Sequence, residues 1–114
     1  VGSHFPNLEY LDVEKNALEY FPIQICRMQE LKSLKLGKNF FESVPDCISK
    51  AINLEYIDFY DTPLRRLPQS LETLKFLKEI DFTGIKFSPS FQESWTARLP
   101  NVKITFDAPC DCME

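Results

Sequence analysis

The sequence predicts an α/β solenoid: a right-handed superhelix with a parallel sheet on its concave face and short helices or 3-10 turns on its convex face. The first observation is a period, because leucines at 8, 31, 54 and 77 recur every 23 residues. The second is that apolar residues keep the same spacing within each period. The third is a proline in each return segment, at 22, 45 and 68. A fixed period of about 20 to 50 residues is typical of solenoids, whose units bury their apolar faces against their neighbours.

The second period carries the most complete motif. Leu31, Leu34, Leu36, Asn39 and Phe41 follow the spacing L-x-x-L-x-L-x-x-N-x-L. The periods that begin at 8 and 54 repeat this pattern, and the fourth keeps it until about residue 87. The chain therefore resembles the leucine-rich repeat family, in its 23-residue, proline-containing form, over residues 5–87. The resemblance implies a solenoid that binds a protein or peptide, although a fold alone does not name the partner.

We interpret residues 1–114 as a single repeat domain. Repeats start at 8, 31, 54 and 77, a helix–strand cap covers 88–106, and residues 107–114 form a tail. Residues 1–7 are either the end of a preceding repeat, with Phe5 as its last core residue, or in part a cloning remnant at Gly2–His4. Because an uncapped solenoid end exposes core and strand edge, we expect self-association through the N-terminal edge.

Each repeat is expected to hold one short strand and one short return segment. Leu11 and Val13 alternate with polar neighbours, which predicts a half-buried strand. Proline fits the first position of a helical turn, so each return segment should form about one to three turns of helix or 3-10 helix.

Asparagine at the ninth position of a repeat is expected to satisfy the turn that follows the strand. The side-chain amides of Asn16 and Asn39 can bond backbone groups of their own and the neighbouring repeat. Thr62 can do part of this, and Ile85 cannot, so the ladder of bonds should stop at the fourth repeat.

The C-terminal segment differs from the repeats. The sequence Ser90-Phe-Gln-Glu93 predicts a capping box and a longer helix, with Phe91 and Trp95 facing the core. Val102–Phe106 alternates between apolar and polar residues, which predicts the last strand. The step from position 77 to position 102 is 25 residues, so the last return segment should be modified.

The four cysteines do not make a clear disulfide framework. Cys26 and Cys47 occupy different repeat positions, so we expect two separate, partly buried thiols. Cys110-Asp-Cys112 near the end resembles the opening of the cysteine-rich C-terminal flank of extracellular leucine-rich repeat proteins. A metal or redox site and a pair of unpaired tail thiols are the alternatives for it.

Composition argues against several classes of function. The only histidine is His4, which leaves no Cys–His pair and no histidine metal cluster, and the three glycines make no phosphate-binding loop. The net charge of −4 argues against nucleic-acid binding, which needs a clustered basic face. No apolar run approaches the roughly 18 residues of a membrane span. We therefore predict no enzyme activity, no cofactor and no metal site.

The solvent face of the predicted sheet is the candidate binding surface. Strands in a parallel sheet lie about 4.8 Å apart, so equal repeat positions form columns across the face. One column, Glu9, Lys32, Glu55 and Lys78, alternates in sign and should stabilise the register.

Other columns on that face carry exposed tyrosines and carboxylates. Tyrosine is a favoured interface anchor, and the excess of carboxylates predicts a partner with a basic surface. The candidate residues are Tyr10, Asp12, Glu14, Lys35, Tyr56, Asp58, Tyr60, Asp61, Glu79 and Asp81. One alternative is a solvated face without a partner. Another is a structural or regulatory segment of a larger protein, such as an enzyme, whose activity lies outside this chain.

Overall fold

A computed structural model describes residues 7–109. Five short strands form one parallel sheet in chain order: β1 (Tyr10–Asp12), β2 (Ser33–Lys35), β3 (Tyr56–Asp58), β4 (Glu79–Asp81) and β5 (Lys103–Thr105). Three 3-10 helices return the chain to the next strand: Ile23–Arg27, Asp46–Lys50 and Gln69–Thr73. A single α-helix, α1 (Pro89–Arg98), makes the fourth return. The predicted solenoid is therefore the observed fold.

The strand register reproduces the sequence period. Leu11 pairs with Leu34, Leu34 with Ile57 and Ile57 with Ile80, each step being 23 residues. The last step is 24 residues, because Ile80 pairs with Ile104. The turn before β5 keeps the expected spacing of 25, since Val102 N–H donates to the Leu99 carbonyl as Leu77 does to Leu74. The chain is therefore one residue shorter between this turn and the strand than in the other repeats.

Phenylalanines form a continuous column through the core. The rings of Phe41 and Phe59 lie 6.3 Å apart between centroids, those of Phe59 and Phe82 5.6 Å, and those of Phe82 and Phe106 5.5 Å. Phe21 meets Phe41 edge to face at 5.8 Å. Offset-stacked and edge-to-face pairs at such distances are favourable beyond their buried area. Phenylalanine at repeat core positions thus links successive repeats.

The asparagine ladder is confirmed in the first two repeats. The Asn39 side-chain oxygen accepts from the N–H groups of Asn16 and Leu18, each at 3.0 Å, and its Nδ2 donates to the Val13 carbonyl at 3.0 Å. Thr62 makes only one bond, from its hydroxyl to the Phe59 carbonyl. Asn39 is buried, so these bonds satisfy backbone groups that water does not reach.

A left-handed residue ends each strand segment. The φ angles are 60° at Lys15, 56° at Lys38, 54° at Asp61 and 84° at Gly84. Three of these are not glycine, so the conformation costs energy that other contacts must offset. The N–H of Lys15 donates to Gly37, that of Lys38 to Tyr60 and that of Asp61 to Thr83, each in the next repeat. Bonding between repeats therefore holds the turn.

The cysteine prediction was wrong, because Cys26 and Cys47 form a disulfide with a Cα–Cα distance of 5.5 Å. The reasoning applied strand geometry, in which only equal positions face each other. Both cysteines lie in 3-10 helices, where side chains radiate around the axis and unequal positions on neighbouring helices can meet. Cys110 and Cys112 lie outside the described residues.

The predicted helix near the C-terminus is present, but its cap is one turn position earlier. Ser88, not Ser90, is the N-cap, and its side chain accepts from the Phe91 N–H at 3.2 Å. Pro89 explains the shift, since proline is favoured at the first helical position and disfavours helical geometry in the residue before it. Trp95 is buried and Phe91 packs against the core, as predicted.

Candidate binding face

Side chains on the solvent side of the sheet stand in columns across the strands. One column is Tyr10, Ser33, Tyr56, Glu79 and Lys103, and the next is Asp12, Lys35, Asp58, Asp81 and Thr105. We call this surface, with the residues that follow each strand, the sheet face. Beside it, Lys32 lies 3.7 Å from Glu9, and Lys78 lies 3.5 Å from Glu55. These ion pairs support the predicted alternation of charge, each at a few tenths of a kcal/mol because they are exposed.

The aspartates of the sheet face have a structural task that the sequence analysis missed. Asp12, Asp58 and Asp81 each accept a hydrogen bond from the N–H two residues ahead, at 3.0, 2.9 and 2.8 Å. This is the Asx-type turn that aspartate commonly makes. The signal was available, because aspartate occupies this position in three of four repeats.

Asp58 is therefore not the exposed charge that the sequence analysis expected, since only 7% of its surface is accessible. Burial is the main reason that its pKa is raised, and Asp81 and Glu14 add to the rise, while the bond from Tyr60 N–H opposes it. A carboxyl with a raised folded-state pKa destabilises the fold once it ionises, so its contribution is lost as pH rises through that pKa. The like-charge pair of Asp58 and Asp81 is thus a real cost of this face.

Tyr60 lies flat against the second repeat. A Cβ atom added to Gly37 would come within 2.1 Å of the Tyr60 ring, so only glycine leaves room for this approach. Burial is the main reason that the pKa of Tyr60 is raised, followed by the nearby carboxylates of Glu14 and Asp58. Gly37, which the sequence analysis did not select, is thus the seat of an aromatic anchor.

Tyr56 is half-buried in the centre of the sheet face. Burial, followed by the charges of Asp58, Asp81 and Glu79, raises its pKa to about 12. The phenol therefore stays neutral at physiological pH, where it can both donate and accept a hydrogen bond. Its position in β3 places it beside Glu79 and two strands from Tyr10.

Lys35 interrupts the aspartate column and lies over Tyr10. Its Nζ is 5.8 Å from the centre of the Tyr10 ring, and hydrogen bonding to Tyr10 is the main reason that its pKa is raised. This contact is a cation–π pair at the edge of the sheet. Tyr10 is 52% exposed, so it is the most accessible tyrosine of the sheet face.

The ten candidate residues fall into two groups. Tyr56, Asp58, Tyr60, Glu79 and Asp81 come together around β3 and β4, with Glu14 reaching the same region. Tyr10, Asp12 and Lys35 form a second group at the β1 edge. Asp61 stands apart from both, because its carboxylate lies against Gly84 at the turn.

Small side chains in β2 separate the two groups. Ser33 lies between Tyr10 and Tyr56, and the sequence analysis did not single it out. The signal was its size, because the equivalent position holds tyrosine or glutamate in the other repeats.

No arrangement on the described chain suggests metal or membrane chemistry. Among residues 7–109, no three His, Cys, Asp or Glu side chains are placed to hold a metal ion. No helix in that same range is long and apolar enough to cross a membrane.

Similar sequences occur in longer proteins. An adenylate cyclase of Schizosaccharomyces pombe is 33% identical over 79 residues, which is 68% of this chain and 5% of the cyclase. The disease resistance RPP13-like protein 3 of Arabidopsis thaliana is 34% identical over 62 residues, which is 54% of this chain and 7% of that protein. The chain therefore spans a small fraction of the curated relatives that it matches. No family model matches the chain.

A solved structure shares the whole architecture. A leucine-rich repeat protein of Leptospira interrogans superposes with a TM-score of 0.83 at 27% identity, covering 89% of this chain and 26% of that chain. The likeness extends over nearly the whole chain, so it includes the helix and strand after the third repeat as well as the repeats themselves.

Proposed function

Because this chain belongs to the leucine-rich repeat family, we propose that it binds a protein or peptide partner through its sheet face. The family supports a protein-interaction module in general. The specific face, the residues and the basic character of the partner are our proposal. The observation that carries it is the cluster in which Tyr60 rests on Gly37 beside Tyr56.

The physical argument rests on preorganisation. An aromatic ring held against backbone loses little conformational freedom on binding, so more of its contact energy appears as affinity. The carboxylates around Tyr56 raise its pKa, which reports a negative potential at the centre of the face. A partner with lysine or arginine at its surface complements that potential and associates faster because of it.

We expect Tyr56→Ala to weaken partner binding mainly through faster dissociation, because it removes contact area from the centre of the interface. The effect should be at least about tenfold if Tyr56 is a hot spot. Surface plasmon resonance with a partner captured from the native proteome measures both rates. Arg27→Glu on an exposed 3-10 helix is the control and should bind like the parent. If the control loses binding and Tyr56→Ala does not, the opposite side of the solenoid is the working surface.

A charge variant tests the basic character of the partner separately. Asp58 is unsuitable, since its substitution would also disturb the turn at Tyr60. Glu79→Gln removes one charge beside Tyr56 without removing a turn bond among the described contacts. We expect slower association and an effect that fades as salt rises, because exposed charges are screened over about 8 Å at physiological ionic strength. An unchanged association rate at low salt would contradict a basic partner.

The N-terminal edge supports a second proposal, association of this chain with another copy or with further repeats. β1 has a neighbour on one side only, and Leu8 is 39% exposed whereas its equivalent Leu31 is fully buried. Such an edge favours pairing with another strand. This reading also suits a segment of a larger protein, whose activity and partners would then lie outside the chain.

We expect the weight-average mass in sedimentation velocity to rise with protein concentration. Leu8→Lys places a charge on the exposed edge and should shift the equilibrium toward monomer, because edge charges oppose strand pairing. Ile52→Lys, at an exposed apolar residue away from that edge, is the matched control and should behave like the parent. A parent that stays monomeric at high concentration would rule out self-association.

A further inference from the structure

We propose that a cleft outside the sheet face binds an arginine side chain of a protein partner. The cleft lies where the first and second repeats turn from strand to return segment, and its volume is about 500 Å³. Its lining includes Glu19, Tyr20, Phe40 and Glu42. We call it the rim cleft.

The rim cleft joins exposed aromatic rings with carboxylates. Tyr20 is 81% exposed and Phe40 is 60% exposed, the two most accessible aromatic side chains among the large hydrophobic residues of residues 7–109. Glu19 and Glu42 line the same space, and no basic residue does. A cation over an aromatic face gains from the ring quadrupole, and a carboxylate nearby adds Coulomb attraction. The chemistry therefore selects a cationic group.

The base of the rim cleft is rigid. Phe21 and Phe41 line it from below, and both are buried in the core with their rings edge to face at 5.8 Å. The Phe40 N–H donates to the Leu18 carbonyl at 2.8 Å, which ties the two walls together. The Cys26–Cys47 disulfide joins the same two repeats covalently. The cleft is thus largely preformed, which lowers the entropic cost of binding.

The protein's own Arg65 indicates which cation fits. Its guanidinium lies 4.0 Å from the Glu42 carboxylate, at the limit of an ion pair, and both side chains are exposed. The carboxylate is therefore already a partner for a guanidinium, yet it is held weakly enough to exchange. A planar guanidinium can also stack on Tyr20 or Phe40 while bonding to Glu42, which a lysine ammonium cannot do as well.

The test is an NMR titration of the whole chain with acetyl-arginine-methylamide. We expect saturable shifts of the amides at residues 19–21 and 40–43. The matching citrulline derivative, which has the same shape without the charge, should cause none. Tyr20→Ala and Phe40→Ala should each weaken binding by roughly two- to fivefold. Both side chains are exposed, so the spectrum of each variant should otherwise resemble that of the parent.

Two further variants separate this site from the sheet face. Arg65→Ala removes the internal competitor for Glu42 and should tighten binding. Tyr56→Ala alters the sheet face only and should leave the titration unchanged. Equal shifts with citrulline, stronger binding of acetyl-lysine-methylamide, or shifts centred on Tyr56 would each overturn the assignment. The outcome does not depend on whether the sheet face binds a partner.

Discussion

Leu34→Ala is expected to lower the free energy of unfolding by about 2–5 kcal/mol, the range for truncating a fully buried leucine. Leu34 is the central residue of β2, has no accessible surface, and pairs in register with Leu11 and Ile57. The lost contacts therefore belong to three repeats at once. Because each unit of a solenoid is stabilised by its neighbours, the defect should spread in both directions. Urea unfolding followed by circular dichroism measures the change.

A control at an exposed apolar residue makes the Leu34 result specific. Ile52 is 54% exposed, so Ile52→Ala should change stability by less than about 0.5 kcal/mol. Leu34→Ala with an effect as small as this control would mean that Leu34 does not hold the repeats together.

Removing the disulfide should lower the free energy of unfolding by about 3 kcal/mol, on the chain-entropy account of a cross-link closing a loop of roughly 20 residues. The bond joins two successive return segments and spans 21 residues of sequence. The double variant Cys26→Ala with Cys47→Ala is preferable to either single change, because one remaining cysteine would leave a reactive thiol. Urea unfolding with and without a reducing agent gives the comparison.

Sensitivity to the reducing agent supplies the internal control for the disulfide. The parent should lose stability when reduced, whereas the double variant should be indifferent to the reagent. Since alanine is smaller than half of a cystine and Cys26 is buried, part of the loss will reflect packing. Reduction of the parent, which removes the bond but keeps both sulfurs, isolates the cross-link. If the reduced parent is as stable as the oxidised one, the bond does not stabilise this fold.

The sequence alone was enough to predict the strands, their order and the central columns of the sheet. Leu11, Leu34, Ile57 and Ile80 recur at one spacing, and a repeated spacing forces each strand beside the last. The asparagine ladder was predictable for the same reason, because Asn39 meets the equivalent turn of the adjacent repeat. Translation by one repeat converts sequence position directly into spatial position, so contacts between equal or nearly equal positions can be read from one chain.

Contacts between unequal positions required the tertiary structure. The disulfide of Cys26 and Cys47, the seat of Tyr60 on Gly37 and the burial of Asp58 each depend on where a side chain points after the strand has ended. Beyond the strand, residues lie on turns and 3-10 helices, and their direction is set by packing against the next repeat. Repetition determines which strands are neighbours, whereas the rotation of each turn and its packing determine which side chains meet, and that rotation is not encoded in the period.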